Sequence, residues 1–106
     1  MPLTVLEEAM NQVYKAAPKL DFSTLISQSR EAVGLKLYRA AEFMGIAPAR
    51  LKNLETGYFR VMPTEAELNA IAQLYDFQMG VVKVKAQEHV RRRQKARKVR
   101  LHDEDL

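Results

Sequence analysis

Between Gly34 and Pro63 the chain is interrupted by Gly34, Gly45, Pro48, Gly57 and Pro63, and no long regular element can run through these positions. A glycine supplies the positive φ that ends a helix. A proline lacks the N–H that a helix interior needs, and it suits only the first helical turn. The spacing therefore predicts short helices: one over about Leu37 to Met44, stopped by Gly45, and one opened by Pro48 and ended by Gly57. Thr64-Glu65-Ala66-Glu67 is a capping box just after Pro63, so another helix starts there and runs to about Tyr75. Leu68, Ile71, Ala72 and Leu74/Tyr75 form its core face.

The flanks carry the same period. Leu3, Leu6, Met10, Val13, Tyr14 and Ala17 make an amphipathic stripe that Pro18 interrupts. Asp21 or Ser23 can cap a second helix reaching about Val33, with Phe22, Leu25 and Ile26 on its inner side. From about Gln78 the pattern is that of one long helix losing its apolar face after Val90. Val81-Val82-Lys83-Val84 is the one β-branched cluster and is ambiguous between helix and short strand. The expected fold is all-α, and 106 residues support one core with an appendage at either end. The divisions are residues 1–20 (an N-terminal amphipathic helix), 21–80 (the central domain) and 81–106 (a C-terminal extension).

Charge is distributed unevenly. Residues 1–80 carry eight Lys/Arg against nine Asp/Glu, whereas residues 81–100 carry nine Lys/Arg against Glu88 alone. Seven of the ten residues from Arg91 to Arg100 are basic, and the last six residues add three acidic ones. Such a block suits a polyanion, because each phosphate neutralised releases condensed counterions. The acidic tail at 102–105 could in principle fold back on these arginines when the polyanion is absent.

Several classes of function lose support. There is no Cys, hence no disulfide framework and no thiolate metal site. Apolar runs are far shorter than a membrane span, and no basic start followed by an apolar stretch marks a signal peptide. The expected location is the cytoplasm. His89 and His102 lack a third ligand at metal spacing and read as exposed surface histidines. Ser23, Ser27 and Ser29 have neither a histidine base nearby in sequence nor a nucleophile motif around them. No enzyme, metal or cofactor is expected.

Leu37 to Glu55 has the layout of a helix-turn-helix. Ala41 lies where two steeply crossing helices need a small side chain, Gly45 lies in the turn, and Ile46, Leu51 and Leu54 back the second helix. Arg30, Gly34-Leu35, Ala40-Ala41, Gly45-Ile46, Leu51, Leu54-Glu55, Gly57 and Pro63 together resemble the Xre/Cro-type helix-turn-helix of phage repressors and bacterial regulators. The resemblance covers about Leu25 to Phe77. It implies a five-helix domain, here with an extra N-terminal helix and a basic C-terminal helical extension. It also implies a structural ion pair between Arg30 and Glu55, and a recognition helix from Pro48 to Glu55.

On that helix the resemblance assigns the groove face to Ala47, Ala49, Arg50, Lys52 and Asn53. Arg can bond guanine O6 and N7, and Asn can bond adenine N6 and N7, so Arg50 and Asn53 are the expected base readers. Ala49 is placed against a thymine methyl. Expected phosphate contacts are Lys36, Arg39, Lys52, Tyr58 and Arg60, with Leu37 at the same rim, joined by Arg91, Arg92, Arg93 and Lys95 of the extension. Leu37 stands where the family commonly has Gln, and Ala47 where it has a Ser/Thr cap. The expected partner is double-stranded DNA, bound as a homodimer by a transcriptional regulator, specifically a repressor. Two readings compete: an antitoxin-type protein whose terminal extensions hold a protein partner, and an RNA-binding protein using the arginine-rich segment.

Overall fold

The computed structural model describes residues 4–104, with side chains described through residue 96. Six α-helices follow in order: α1 (Val5–Ala16), α2 (Phe22–Ala32), α3 (Leu37–Met44), α4 (Pro48–Thr56), α5 (Glu65–Tyr75) and α6 (Met79–Glu104). A single 3-10 turn, Ala17–Lys19, joins α1 to α2. Leu3 and the side chains of the acidic tail at 102–105 lie outside the described residues.

Local signals set most boundaries. Thr4 caps α1 by accepting from the Glu7 N–H, and Thr64 with Glu67 closes a complete capping box on α5. Asp21, not Ser23, caps α2, accepting from the Thr24 N–H at 2.8 Å. Ser23 is buried instead and donates to the Leu54 carbonyl at 2.7 Å, tying α2 to the last turn of α4. Each such cap contributes about 1 kcal/mol.

The core gathers one face of every helix. Phe22, Leu25 and Ile26 from α2, Leu51 and Leu54 from α4, Leu68, Ile71 and Tyr75 from α5 and Val82 from α6 are essentially inaccessible to solvent. α1 folds back on α2 through Met10 and Val13. Its Tyr14 donates to the Tyr75 carbonyl at 2.8 Å and packs edge-on against Phe77. Burial and the nearby Asp76 carboxylate raise the Tyr14 phenol above its ordinary pKa. α1 does not cover Phe43, which remains 69% exposed.

The ambiguity at 81–84 resolves as helix. Val82 is followed by Ala86 and Val90 at four-residue steps, and all three are buried, while Val81 and Val84 face outward. One-sided burial at that step fits a helix and not a strand, whose faces alternate every residue. α6 also runs unbroken across the expected division at residue 80. Its first part belongs to the core of the central domain, so that division is not a break in the chain.

Candidate nucleic-acid interface

α3 and α4 make the helix-turn-helix. Gly45, at φ 71°, ends α3, and the Ile46 N–H reaches back to the Ala41 carbonyl at 3.0 Å. Ala40 and Ala41 are completely buried, so no side chain bulk holds the two helices apart. α4 then starts at Pro48, and Ala47 before it makes no side-chain capping bond. Leu51 and Leu54 bury its back.

Two ion pairs hold the flanks of α4. The Arg30 Nε donates to both Glu55 oxygens, at 2.8 and 3.1 Å, while its Nη1 donates to the Leu35 carbonyl at 2.9 Å. Only 18% of the Arg30 side chain and 6% of the Glu55 side chain are exposed. The hydrogen bond to Glu55 raises the Arg30 pKa against the opposing effect of burial. This pair links the end of α2 to the end of α4.

The second pair was not expected. Arg50 donates through Nε at 2.7 Å and Nη2 at 3.1 Å to Glu67, the same carboxylate that accepts from the Thr64 N–H in the α5 capping box. The hydrogen bond from Arg50, opposed by burial, carries the Glu67 carboxyl below its ordinary range. The resemblance puts Arg50 on the groove face as a base reader, whereas in the free protein its guanidinium is turned toward α5 and engaged there.

The outward stripe of α4 is Ala49, Lys52, Asn53 and Thr56, all exposed and spaced as one helical face. The spacing of Ala49, Lys52 and Asn53 extends directly to Thr56, which completes this exposed face. Its hydroxyl donates to the Lys52 carbonyl at 2.8 Å, and its methyl group is on the same exposed residue. Ala47 is exposed at the start of the helix.

Most of the residues expected to contact phosphate are exposed. Lys36 is the uncapped N-terminal residue of α3 and is exposed; Arg39 is exposed with a long, solvated contact to Glu42 at 3.4 Å. Leu37 is half-buried against the core, which is what its aliphatic side chain does in place of a polar rim contact. Beyond α4, Tyr58 is 75% exposed and Arg60 is exposed. Arg91, Arg92 and Lys95 are exposed and Arg93 is half-buried on α6.

His89 corrects the surface reading. It is buried, stacks on Phe59 and approaches the carbonyls of Gly57 and Phe59 with Nε2. Its position, seven residues after Val82 on the buried side of α6, was the signal that it faces inward. Among the described residues no group of His, Asp and Glu is placed to hold a metal ion, and no helix is long and apolar enough to cross a membrane.

Comparison with known proteins adds the deciding observation: a family model described as helix-turn-helix, of the Xre/Cro type, matches residues 26–81. The chain belongs to the Xre/Cro-type helix-turn-helix family. The match runs from within α2 to the start of α6, so it takes in parts or all of five helices, with α1 before it and the remainder of α6 after it. Xre/Cro-type domains of this kind are DNA-binding regulators and not enzymes. No curated protein and no solved structure matches the chain.

Proposed function

We propose that this Xre/Cro-type chain is a sequence-specific transcriptional repressor that occupies an operator as a homodimer in the cytoplasm. The observation that carries the reading is the exposed stripe Ala49–Lys52–Asn53–Thr56 on a helix whose other side buries Leu51 and Leu54. A stripe so placed enters a major groove with its side chains at the base edges. Asn53 reads adenine by its two-pronged amide, Ala49 and the Thr56 methyl meet thymine methyls, and Lys52 neutralises a phosphate at the groove wall. Arg50 supports the helix through Glu67 in the free protein and reaches a guanine only by leaving that carboxylate. Lys36, Arg39, Tyr58 and Arg60 form the phosphate rim, and Arg91, Arg92, Arg93 and Lys95 extend it.

Two half-sites about 34 Å apart give a dimer twice the contacts of a single head. Selection of bound duplexes from a random DNA pool tests the reading. The expected result is an enriched motif in two halves spaced by about one helical turn. A pool that stays random overturns it, and preferential retention of RNA hairpins favours the arginine-rich segment as an RNA binder.

A further inference from the structure

α6 crosses the exit of the recognition helix just before its basic run begins. At the crossing, the rings of His89 and Phe59 stack with centroids 4.1 Å apart. The His89 Nε2 lies 3.1 Å from the Gly57 carbonyl oxygen and 3.2 Å from that of Phe59. Two carbonyls can only accept, so the shared proton sits on Nε2. Phe59 packs edge-on against Phe22 of α2, with centroids 5.5 Å apart. Gly57, at φ 78°, completes the joint: a Cβ there would lie 3.2 Å from His89 Cε1 and 3.5 Å from the Ser23 hydroxyl.

The segment 57–60 therefore alternates. Gly57 and Phe59 face the histidine, while Tyr58 and Arg60 project into solvent. On the other side of His89, Arg91 to Lys95 follow within about 3–9 Å along the helix axis. Asp21, at the start of α2, marks the same corner. Burial works to raise its carboxyl pKa, but hydrogen bonds from Thr24 and the charges of Arg92 and His89 leave it lowered. One DNA strand presents a phosphate about every 3.4 Å of duplex axis, a spacing comparable to the axial rise between these cations on α6.

We infer that the loop 57–60 and the basic start of α6 form one continuous phosphate-binding edge, with His89 the positioning residue that fixes one part to the other. The inference rests on the DNA-binding reading above and adds to it how the extension is aimed. A loop held at two carbonyls keeps Tyr58 and Arg60 at a constant distance from Arg91, Arg92 and Lys95. The two sets then dock together, and the second gains from the ordering already supplied by the first.

The test is a double-mutant cycle on the full chain, read as affinity against salt for a mixed-sequence duplex of about three helical turns. One arm is His89→Ala; the other is Arg91→Gln, Arg92→Gln, Arg93→Gln and Lys95→Gln combined. In the otherwise native chain His89→Ala is expected to weaken binding about tenfold near 0.15 M salt and to reduce the salt slope by about one to two. In the neutralised chain the same substitution is expected to change affinity by less than about twofold. His89→Gln, whose amide nitrogen can occupy the place of Nε2, restores most of the loss.

Equal penalties in both backgrounds overturn the inference, since His89 then acts on the fold or the loop alone. Should His89→Ala fail to fold, Arg60→Gln takes its place in the cycle: the edge requires it to couple to the four cations, and strict additivity overturns it. A native chain that ignores duplex DNA ends this inference and the DNA-binding reading together. A native chain that selects an operator motif while the cycle stays additive ends this inference alone.

Discussion

The stripe on α4 and the basic run on α6 differ in almost every physical respect. The α4 stripe is short and carries one charge, Lys52, among small or uncharged groups. Behind it lie Leu51 and Leu54, and two ion pairs tie α4 to α2 and α5. The run from Arg91 is densely cationic, and Arg91, Arg92 and Lys95 stand in solvent with no ion-pair partner among the described residues. A group that discriminates between bases must be held still, because its hydrogen bonds are directional. A group that neutralises phosphate needs only charge and reach. On the proposed reading, selectivity and affinity fall to separate parts of this molecule, with the ion pairs on the side that requires geometry.

The largest effect expected from breaking this division is on the geometric side. Glu55→Ala leaves Arg30 largely buried without its carboxylate, and should cost about 3 kcal/mol of stability in a denaturant titration. Loss below about 0.5 kcal/mol would mean that the tilt of α4 is fixed by packing alone. Next in size, neutralising Arg91, Arg92, Arg93 and Lys95 together should lower the salt slope by about three to four while leaving the preferred motif intact. A changed motif with an unchanged slope would reverse the assignment of roles.

Asn53→Ala should then reduce discrimination between operator and mixed DNA by about 1–3 kcal/mol, with non-specific affinity within about twofold. A uniform loss on all sequences would move Asn53 from reading to positioning. The smallest effect concerns Arg50 and Glu67. Because the Glu67 pKa is lowered in the folded chain, the stabilisation from this pair is present above its ordinary value of 4.5. It is lost as pH falls through the folded value. Glu67→Gln should flatten that part of the stability–pH curve below pH 4.5, measured by thermal melts, and an unchanged curve would show the pair contributing nothing.

The turn chemistry was legible because it is local. Gly45, Pro48, Gly57 and the Thr64–Glu67 box each act through their own backbone, and the helices begin and end where these residues demand. The pairing of Arg30 with Glu55 was available only through resemblance, since two charges so far apart in sequence have no periodic relation. Arg50 and Glu67 were hidden for a different reason. Each already had a local role, one on the outer face of α4 and the other in a capping box, and nothing in the spacing revealed that one carboxylate serves both. His89 reads as exposed when the only question asked of it is whether a third metal ligand stands nearby in sequence, and that question is silent on burial. A buried imidazole needs a carbonyl partner, and that partner lies in a loop thirty residues away.

The continuity of α6 has a further consequence. Starting a helix in water is costly because several residues must be ordered for one hydrogen bond, whereas extending an existing helix adds one bond per residue. The core residues Val82, Ala86 and Val90 hold the first turns of α6 in place, so the cationic turns after them grow from a nucleus already formed. DNA that meets such a segment has little backbone disorder to remove, and the entropic loss common to flexible basic tails is reduced before the two molecules touch.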